Sequence, residues 1–436
     1  MIRYHEALKK IREVAHAKAD HFSILELPLE EALGRVVGST VLSPTQVPPF
    51  NNSAMDGFAL RSQETKGAEH SRPKTFSIQG MIAAGDKPRS DELRQAACTE
   101  IMTGAPLPED FDSVVKCEDV TLLQNGRGEA ERIQVSREIK AKENVRFAGE
   151  DFRKGDPVLD RGQVIQPEHV LALATLGISQ LPIFRRPSAA ILSTGTELVD
   201  YRIRGELEPG KIRNSTAPFL HTALLHLGAD VQYHGILPDK PQEFLKQLEL
   251  ILSDTPDIIV TTGAVSMGRF DFIKDALHDL KADILFHKVA IRPGKPILFA
   301  RLKKSAFFGL PGNTVSTVVG LRFFVEPYLR ELLGISPELP VHARLEQETP
   351  KPEGLRCFFK AEVEIEEGAL YAKVLPGQAS FMVSPLLTAN AWAVLPEEPF
   401  QLNTGTMIEV FPLCSSVPQW KGRQFSRASI GASSEP

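Results

Sequence analysis

The spacing of apolar residues changes character several times along the chain. Tyr4, Ala7, Leu8 and Ile11 recur at intervals of three and four, which predicts an amphipathic helix. Pro28-Leu-Glu-Glu-Ala-Leu-Gly34 begins on a proline and stops on a glycine, so residues 1–40 read as helical throughout. Pro44-Thr-Gln-Val-Pro-Pro-Phe50 is an extended segment that no helix tolerates. From about 55 to 140 the texture turns to short β-like runs at Phe76–Gln79, Ser113–Cys117 and Arg132–Val135. Breaks such as Gln124-Asn-Gly-Arg-Gly128 separate them, which predicts a small β-rich module. A mixed segment then ends in a helix over Pro167–Gly177, with Gly177 in the C-cap position.

Between 187 and 333 strand and helix alternate. Strand-like runs lie at Ala189–Ser193, Val231–Leu237, Asp257–Thr261, Ile284–Phe286 and Ala306–Gly309. Helical patterns fall near 216–227, 241–253, 271–280 and 315–333, which predicts a parallel sheet covered on both faces. After Pro337 and Pro340 the pattern is β again, at Leu355–Ile365 and Met407–Phe411. The tail after 416 is Ser, Gly and charge, the composition of disorder. No repeat of fixed period is present.

The expected architecture is therefore multidomain α/β plus β, around a central doubly wound α/β domain at 185–334. Residues 1–48 and 142–184 form an elongated helical and extended N-terminal domain, into which a β-rich module at 49–141 is inserted. Residues 335–415 form a C-terminal β-barrel-like domain, and 416–436 the tail.

Composition narrows the classes. At 436 residues the length suits about three domains or more, and 42% apolar with 24% charged residues excludes wholesale disorder. A net charge of -5 gives no global attraction to nucleic acid or an anionic membrane. Cys98, Cys117, Cys357 and Cys414 lie far apart, which argues against a disulfide framework or a zinc ribbon. The amino terminus has no signal-peptide stretch, and no run approaches the ~18 apolar residues of a spanning helix, so the expected location is cytoplasmic.

Ligands of a parallel sheet sit beyond the carboxyl ends of its strands. Three loops there are rich in glycine and hydroxyl residues: Ser193-Thr-Gly-Thr-Glu-Leu198, the run from Thr261 to Asp271, and Leu310-Pro-Gly-Asn-Thr-Val-Ser316. Each alone is an ordinary turn with an N-cap; three on one sheet point to an oxyanion. Gly263 and Ser266 are too far apart for a nucleophile elbow, and no loop ends in the Lys-Ser/Thr of a P-loop. Glu197, Asp239 and Asp271 flank these turns. They suit Mg²⁺ beside a phosphate, or equally serve as helix N-caps and solvated charge. Arg292-Pro-Gly-Lys-Pro296 offers two cations on a stiff loop. In the first half, Pro48–Ala59, Met102–Pro108 and Asn144–Asp151 are glycine-anchored polar turns that composition alone leaves without a task.

Together these strings resemble the molybdopterin molybdenumtransferase family, which includes the gephyrin E domain. The matching segments are Pro48-Pro-Phe-Asn-Asn-Ser-Ala-Met-Asp-Gly-Phe-Ala59, Ile101-Met-Thr-Gly-Ala-Pro106, Gly149-Glu-Asp151, Ser193–Leu198, Thr262-Gly-Ala-Val-Ser-Met-Gly268, Arg292–Pro296 and Leu310-Pro-Gly-Asn313. They occur in family order across roughly residues 1–412. The resemblance implies a cytoplasmic homodimer in which residues 187–333 bind molybdopterin and the β-module reaches toward the partner subunit. It implies insertion of molybdenum from molybdate into adenylylated molybdopterin, with Mg²⁺, giving molybdenum cofactor and AMP. A molybdopterin adenylyltransferase and acceptor molybdoenzymes are the implied partners.

Carried over by motif, Asp56, Thr103, Asp151, Glu197, Asp239 and Asp271 match functional acidic and hydroxyl positions, the last three assigned to Mg²⁺ and adenylyl phosphate. Ser193, Thr194, Gly195, Thr262, Gly263, Ser266, Gly268, Pro311, Gly312 and Asn313 would cradle the substrate. Arg292, Lys295, Ser316, Arg356 and Ser380 would hold molybdate. Asn51, Ala264, Arg292 and Thr314 depart from the common pattern of Asp, Gly, Lys and Pro, with no named carboxylate lost. The alternatives are a non-catalytic molybdopterin-binding scaffold or carrier, and an insertase specific for tungstate.

Overall fold

The structure is a computed structural model that describes residues 1–87, 95–264 and 272–415, with the backbone of 421–422. Helix α1 (Tyr4–Ala19) buries Ala7, Ile11, Ala15 and Ala19, one residue per turn, as the opening periodicity requires. The rest of the first forty residues departs from expectation. Ile24–Pro28 is a strand, antiparallel to Gln180–Phe184, and only Leu29–Glu31 makes a single 3₁₀ turn. The backbone N–H groups of Gly34 and Val37 go to the carbonyls of Ile165 and Gln163, so partners far along the chain capture a segment whose local signals favoured helix. Helix α2 (Pro167–Thr175) ends as expected. Gly177 lies at φ +71°, and Ile178 N–H bonds back to the Leu173 carbonyl.

Residues 57–135 carry a six-stranded sheet in the order Ser113–Lys116, Gly57–Leu60, Ala97–Ile101, Lys74–Ile82, Ala130–Val135, Val120–Gln124. Apolar clusters centred on Phe58, Phe76 and Ile133, and on Ile101, Phe111 and Val114, occupy its two faces. Gly57 is obligatory here, because a Cβ would lie 2.0 Å from the Val115 carbonyl oxygen.

The α/β region contains strands β1 (Ser188–Thr194), β2 (Asp230–Leu237), β3 (Ile258–Thr262), β4 (Asp283–His287), β5 (Leu298–Leu302) and β6 (Ser305–Leu310), ordered β2-β1-β3-β6-β5-β4. The first four strands of that order are parallel. Helices α3 (Thr216–His226) and α1 cover one face, and α4 (Pro241–Ser253) and α5 (Ile273–Asp279) the other, which is the doubly wound arrangement. The fully parallel sheet read from sequence needs one correction. β5 pairs antiparallel with both β6 and β4. β5 and β6 are joined by Lys303 and Lys304 alone, too short for the crossover that parallel strands demand. The last helical stretch comprises α6 (Thr314–Gly320), a π turn over Leu321–Val325 and α7 (Glu326–Leu332).

Strands β7 (Val341–Leu345), β8 (Arg356–Glu366), β9 (Ala369–Val374), β10 (Ala391–Leu395) and β11 (Met407–Pro412) follow. Pairings β8–β9, β9–β7, β7–β11, β11–β10 and β10–β8 close a five-stranded barrel. Lys421–Gly422 adds a short parallel pairing to β8; the rest of the tail lies outside the described residues. No described helix is long and apolar enough to cross a membrane.

Candidate active site

The cleft at the carboxyl edge of the parallel strands follows directly from register. Ser193 lies opposite Thr262, and Thr262 opposite Leu310, so three loops leave the sheet side by side. Their close approach depends on glycine. Gly263 sits at φ +90°, and a Cβ there would lie 2.4 Å from the Thr194 carbonyl oxygen and 2.7 Å from its hydroxyl. Gly312 is less constrained, since a Cβ there would rest 3.6 Å from Gly263 Cα, an ordinary contact. Thr194 Oγ1 donates to the Thr262 carbonyl at 3.1 Å, and Gly263 N–H to the Leu310 carbonyl at 3.1 Å. Below them Thr262 Oγ1 donates to Ser193 Oγ at 3.3 Å, which makes buried Ser193 a support.

A cleft of about 460 Å³ opens above these loops. Of the substrate residues named from sequence, Thr194, Gly195, Thr262, Gly263, Pro311, Gly312 and Asn313 line it, as do Glu197 and Asp239. Asp239 Oδ2 accepts the backbone N–H of Thr196 at 3.1 Å and its hydroxyl at 3.4 Å, and Lys211 Nζ braces the same loop through the Thr196 carbonyl at 2.7 Å. The Glu197 carboxylate folds over Gly195, whose missing side chain leaves it room. Ser266, Gly268 and Asp271 lie outside the described residues. Among the described residues no three acidic, His or Cys side chains gather as a metal cluster. Two carboxylates on an open cleft nonetheless suit Mg²⁺, which commonly takes one or two carboxylates and completes its shell with water and substrate phosphate.

Thr314 and Asn214 also line the cleft and were not named as site residues. Thr314 opens α6, where a proline would lack the N–H that threonine presents. Asn214 Oδ1 accepts from Ala217 N–H and Thr216 Oγ1, both at 3.1 Å, while its Nδ2 donates to the Tyr233 hydroxyl at 3.1 Å.

The cations and hydroxyls assigned to molybdate divide. Arg292 is exposed and shares a cavity of about 420 Å³ with Gln347, Lys373 and Gln378, whereas Pro296, four residues on, lines the main cleft. The 292–296 loop thus spans from one cavity to the other, with Lys295 exposed on it. Ser316 is buried in the first turn of α6, and the neighbouring Val315 N–H donates to the Ser380 carbonyl at 2.9 Å. The Arg356 backbone pairs with Ile291 beside this loop, but its side chain turns elsewhere. Its guanidinium pairs with Glu409 at 2.5 Å and Glu397 at 3.6 Å and lies over the Tyr4 ring, in a different cleft.

The barrel cation beside Ser380 is instead Lys360, only 1% exposed. Its Nζ donates to the carbonyls of Gly377 and Met382, at 2.6 and 2.8 Å, on either side of Ser380, and burial lowers its pKa. A lysine inside the apolar run Phe358-Phe-Lys-Ala361 was the available sequence signal.

Asp56 and Thr103 meet at one end of the inserted module and Asp151 lies beyond it in the chain; none of the three lines the cleft of its own chain. Asp56 Oδ1 accepts the Thr103 N–H at 2.6 Å and its hydroxyl at 2.8 Å, which holds the Asp56 pKa below its ordinary value. Asp151 is exposed on a loop tied to the Val47 carbonyl. Asn51 Oδ1 accepts the Ala148 N–H at 2.9 Å, a task that the usual Asp would perform equally.

Comparison with known proteins adds to this geometry. Residues 2–177 match the MoeA N-terminal region (domain I and II), 190–331 the "probable molybdopterin binding domain", and 342–413 the MoeA C-terminal region (domain IV). A molybdopterin molybdenumtransferase of Synechococcus elongatus is 38% identical over 390 residues, covering 89% of this chain and 94% of the relative. The chain belongs to the molybdopterin molybdenumtransferase family. The Bacillus subtilis member is 33% identical over 405 residues, covering 92% of this chain and 93% of its own. The crystal structure of the molybdopterin biosynthesis MoeA protein from Pyrococcus horikosii superposes with a TM-score of 0.78 at 27% identity, over 95% of this chain and 99% of that one. The chain is therefore an enzyme of molybdenum cofactor biosynthesis, built on the MoeA multidomain fold.

Proposed function

We propose that this molybdenumtransferase takes adenylylated molybdopterin and molybdate and releases molybdenum cofactor and AMP, as a cytoplasmic homodimer. The observation that carries the reading is the cleft in which three glycine loops, locked in register, face Glu197 and Asp239. Exposed loop N–H groups at a sheet edge hold phosphate oxygens without a covalent nucleophile. Glu197 and Asp239, with Asp271 as the third carboxylate carried over by motif, would hold Mg²⁺, which when bound neutralises phosphate charge as the anhydride to AMP is cleaved. Each oxygen that the dithiolene sulfurs displace from molybdate needs protons to leave as water, and cleft carboxylates are suited to carry them. Arg292 and Lys295, with Ser316 and Ser380 behind them, offer charge-assisted donors to a tetrahedral dianion. In this reading Asp56, Thr103 and Asp151 complete the partner subunit's cleft. The carboxyl-terminal barrel at 335–415 closes the anion side.

The test is anaerobic turnover with adenylylated molybdopterin, Mg²⁺ and molybdate, following AMP release and reconstitution of an apo-molybdoenzyme. Molybdate-dependent AMP release with active cofactor formed supports the reading. Tight pterin binding without turnover under molybdate or tungstate favours a carrier instead. Turnover with tungstate alone identifies an insertase for the other metal.

A further inference from the structure

The N-terminal layer and its inserted module, residues 24–184, join the α/β domain through two stretches of chain, residues 20–23 after α1 and residues 185–187 before β1. Both stretches are tied to one carboxylate. Asp257 is buried at the start of β3, and Arg185 reaches it with two parallel bonds, Nη1 to Oδ2 at 2.6 Å and Nη2 to Oδ1 at 2.9 Å. Lys18, in the last turn of α1, places Nζ 2.8 Å from Oδ1 and donates to the Lys304 carbonyl in the β5–β6 turn at 2.9 Å. Ser188, the first residue of β1, gives Oδ2 its N–H at 2.8 Å and its hydroxyl at 3.0 Å. The Arg185 guanidinium lies 4.2 Å from the centre of the Phe22 ring, and its backbone N–H donates to the Ser23 carbonyl, so this residue spans from one stretch to the other. Burial alone would push the Asp257 carboxyl up, but the Arg185 and Lys18 cations outweigh it and hold its pKa down to about 2. The two parts also meet where a Cβ on Gly162 would lie 1.9 Å from the Gly334 carbonyl oxygen, and where Arg161 donates to the Ala19 carbonyl at 2.8 Å. Asp257 itself does not reach the cleft. It precedes the five-residue strand that ends in Thr262, about 17 Å away by the rise of a strand.

We infer that Asp257 is a positioning residue for molybdenum insertion: it fixes the N-terminal layer, and with it the module that carries Asp56, at one angle to the α/β domain. The inference rests on the reading above, in which Asp56 completes the partner subunit's cleft. Packed apolar elements slide past one another by small amounts, whereas five donors converging on one carboxylate from α1, the 185–187 stretch and β1 admit one arrangement. The module is inserted into the layer, so any rotation at the two stretches moves Asp56 with it. A displacement of about 1 Å at a reacting group is enough to lower a rate about a hundredfold. Stability alone does not account for the cluster, since a buried ion pair contributes little beyond apolar side chains of equal volume.

The experiment compares the full-length protein with Lys18→Met, Arg185→Lys and Asp257→Asn. Spin labels go on exposed Cys117, whose N–H donates to the Asp56 carbonyl, and on Glu249→Cys of α4, in a Cys414→Ser background; Cys98 and Cys357 are buried. Their separation is read by pulsed electron resonance, and turnover is read on unlabelled protein. We expect each variant to broaden the distance distribution and to lower kcat about tenfold or more, with KM for adenylylated molybdopterin within about twofold of native, because the cleft loops lie at the other end of β3. A lowered melting temperature with native distances and native kcat overturns the inference, since a merely stabilising bridge gives that result. Broadened distances with native kcat overturn it equally. Lys18 is partly exposed and Arg185→Lys retains its charge, so these two variants test the joint even if Asp257→Asn fails to fold. The insertase reading fails separately, by absence of molybdate-dependent turnover in the native protein, while the labels still report the joint.

Discussion

Two aspartates in distant parts of the molecule wear the same clasp. Asp56 accepts the N–H and the hydroxyl of Thr103 at 2.6 and 2.8 Å, and Asp239 accepts those of Thr196 at 3.1 and 3.4 Å. Their settings differ. The first sits beside Gly57, where the chain is pressed against Val115 in an antiparallel sheet, and it projects from the module's end. The second sits over the edge of a parallel sheet and lines a cleft with Glu197. A carboxylate can therefore be fixed at the surface without being enclosed, given two donors on one threonine and a stiff strand beneath it. Short charge-assisted bonds take the place of burial.

Substituting each aspartate separates the two clasps most sharply. Asp56→Asn and Asp239→Asn should each lower insertion turnover by about a hundredfold or more, with melting temperatures close to native, since both lie in surface loops. If Asp56→Asn turns over normally, the module's end has no share in the chemistry and the comparison breaks. Next come the glycines beneath. Gly57→Ala forces a Cβ onto the Val115 carbonyl and should destabilise the protein by about 3 kcal/mol, seen in urea denaturation. Gly263→Ala meets the Thr194 carbonyl at positive φ and should cost about 2–3 kcal/mol while also closing the cleft to phosphate.

Smaller effects sharpen the picture. Thr103→Val removes one of the two donors, so the Asp56 pKa should rise toward the ordinary carboxylate value in a carbon-detected NMR titration. Because the folded-state pKa is depressed, the clasp stabilises the fold above the ordinary range. That contribution is withdrawn as pH falls from the ordinary value through the lowered one, and in Thr103→Val the withdrawal should be smaller and complete at higher pH. The smallest effect is expected at Ala264, held at φ +50°. Ala264→Gly relieves the left-handed strain at the expense of chain entropy and should stabilise by about 1 kcal/mol or less in thermal unfolding.

What the sequence disclosed divides along a physical line. Glycine loops, strand–helix alternation and the module's turns are local signals, and Gly263 was legible because close backbone approach at positive φ admits little else. Signals decided by distant partners were misread. Pro28–Gly34 looked helical until strand 180–184 claimed its neighbourhood, and β5 went unseen because its antiparallel pairing depends on a two-residue turn of lysines. Arg356 was carried to the anion side by motif, yet Glu397 and Glu409 neutralise it, while Lys360 four residues on holds the Ser380 loop. Arg356 and Lys360 share one face of β8, so the distance between them along the strand gives them different partners, and a charge inside an apolar strand run was the cue.

The pairing of Ile24–Pro28 with Gln180–Phe184 bears on the order of assembly. About 150 residues of chain separate the two strands, and closing so long a loop carries an entropic cost that a local hairpin avoids. The first strand emerges early from the ribosome and waits for its partner, whereas the six-stranded module between them contains every strand of its own sheet. Synthesis thus delivers the insert complete before its host can close, and the N-terminal layer is shut from the far side, by the segment that leads directly into β1.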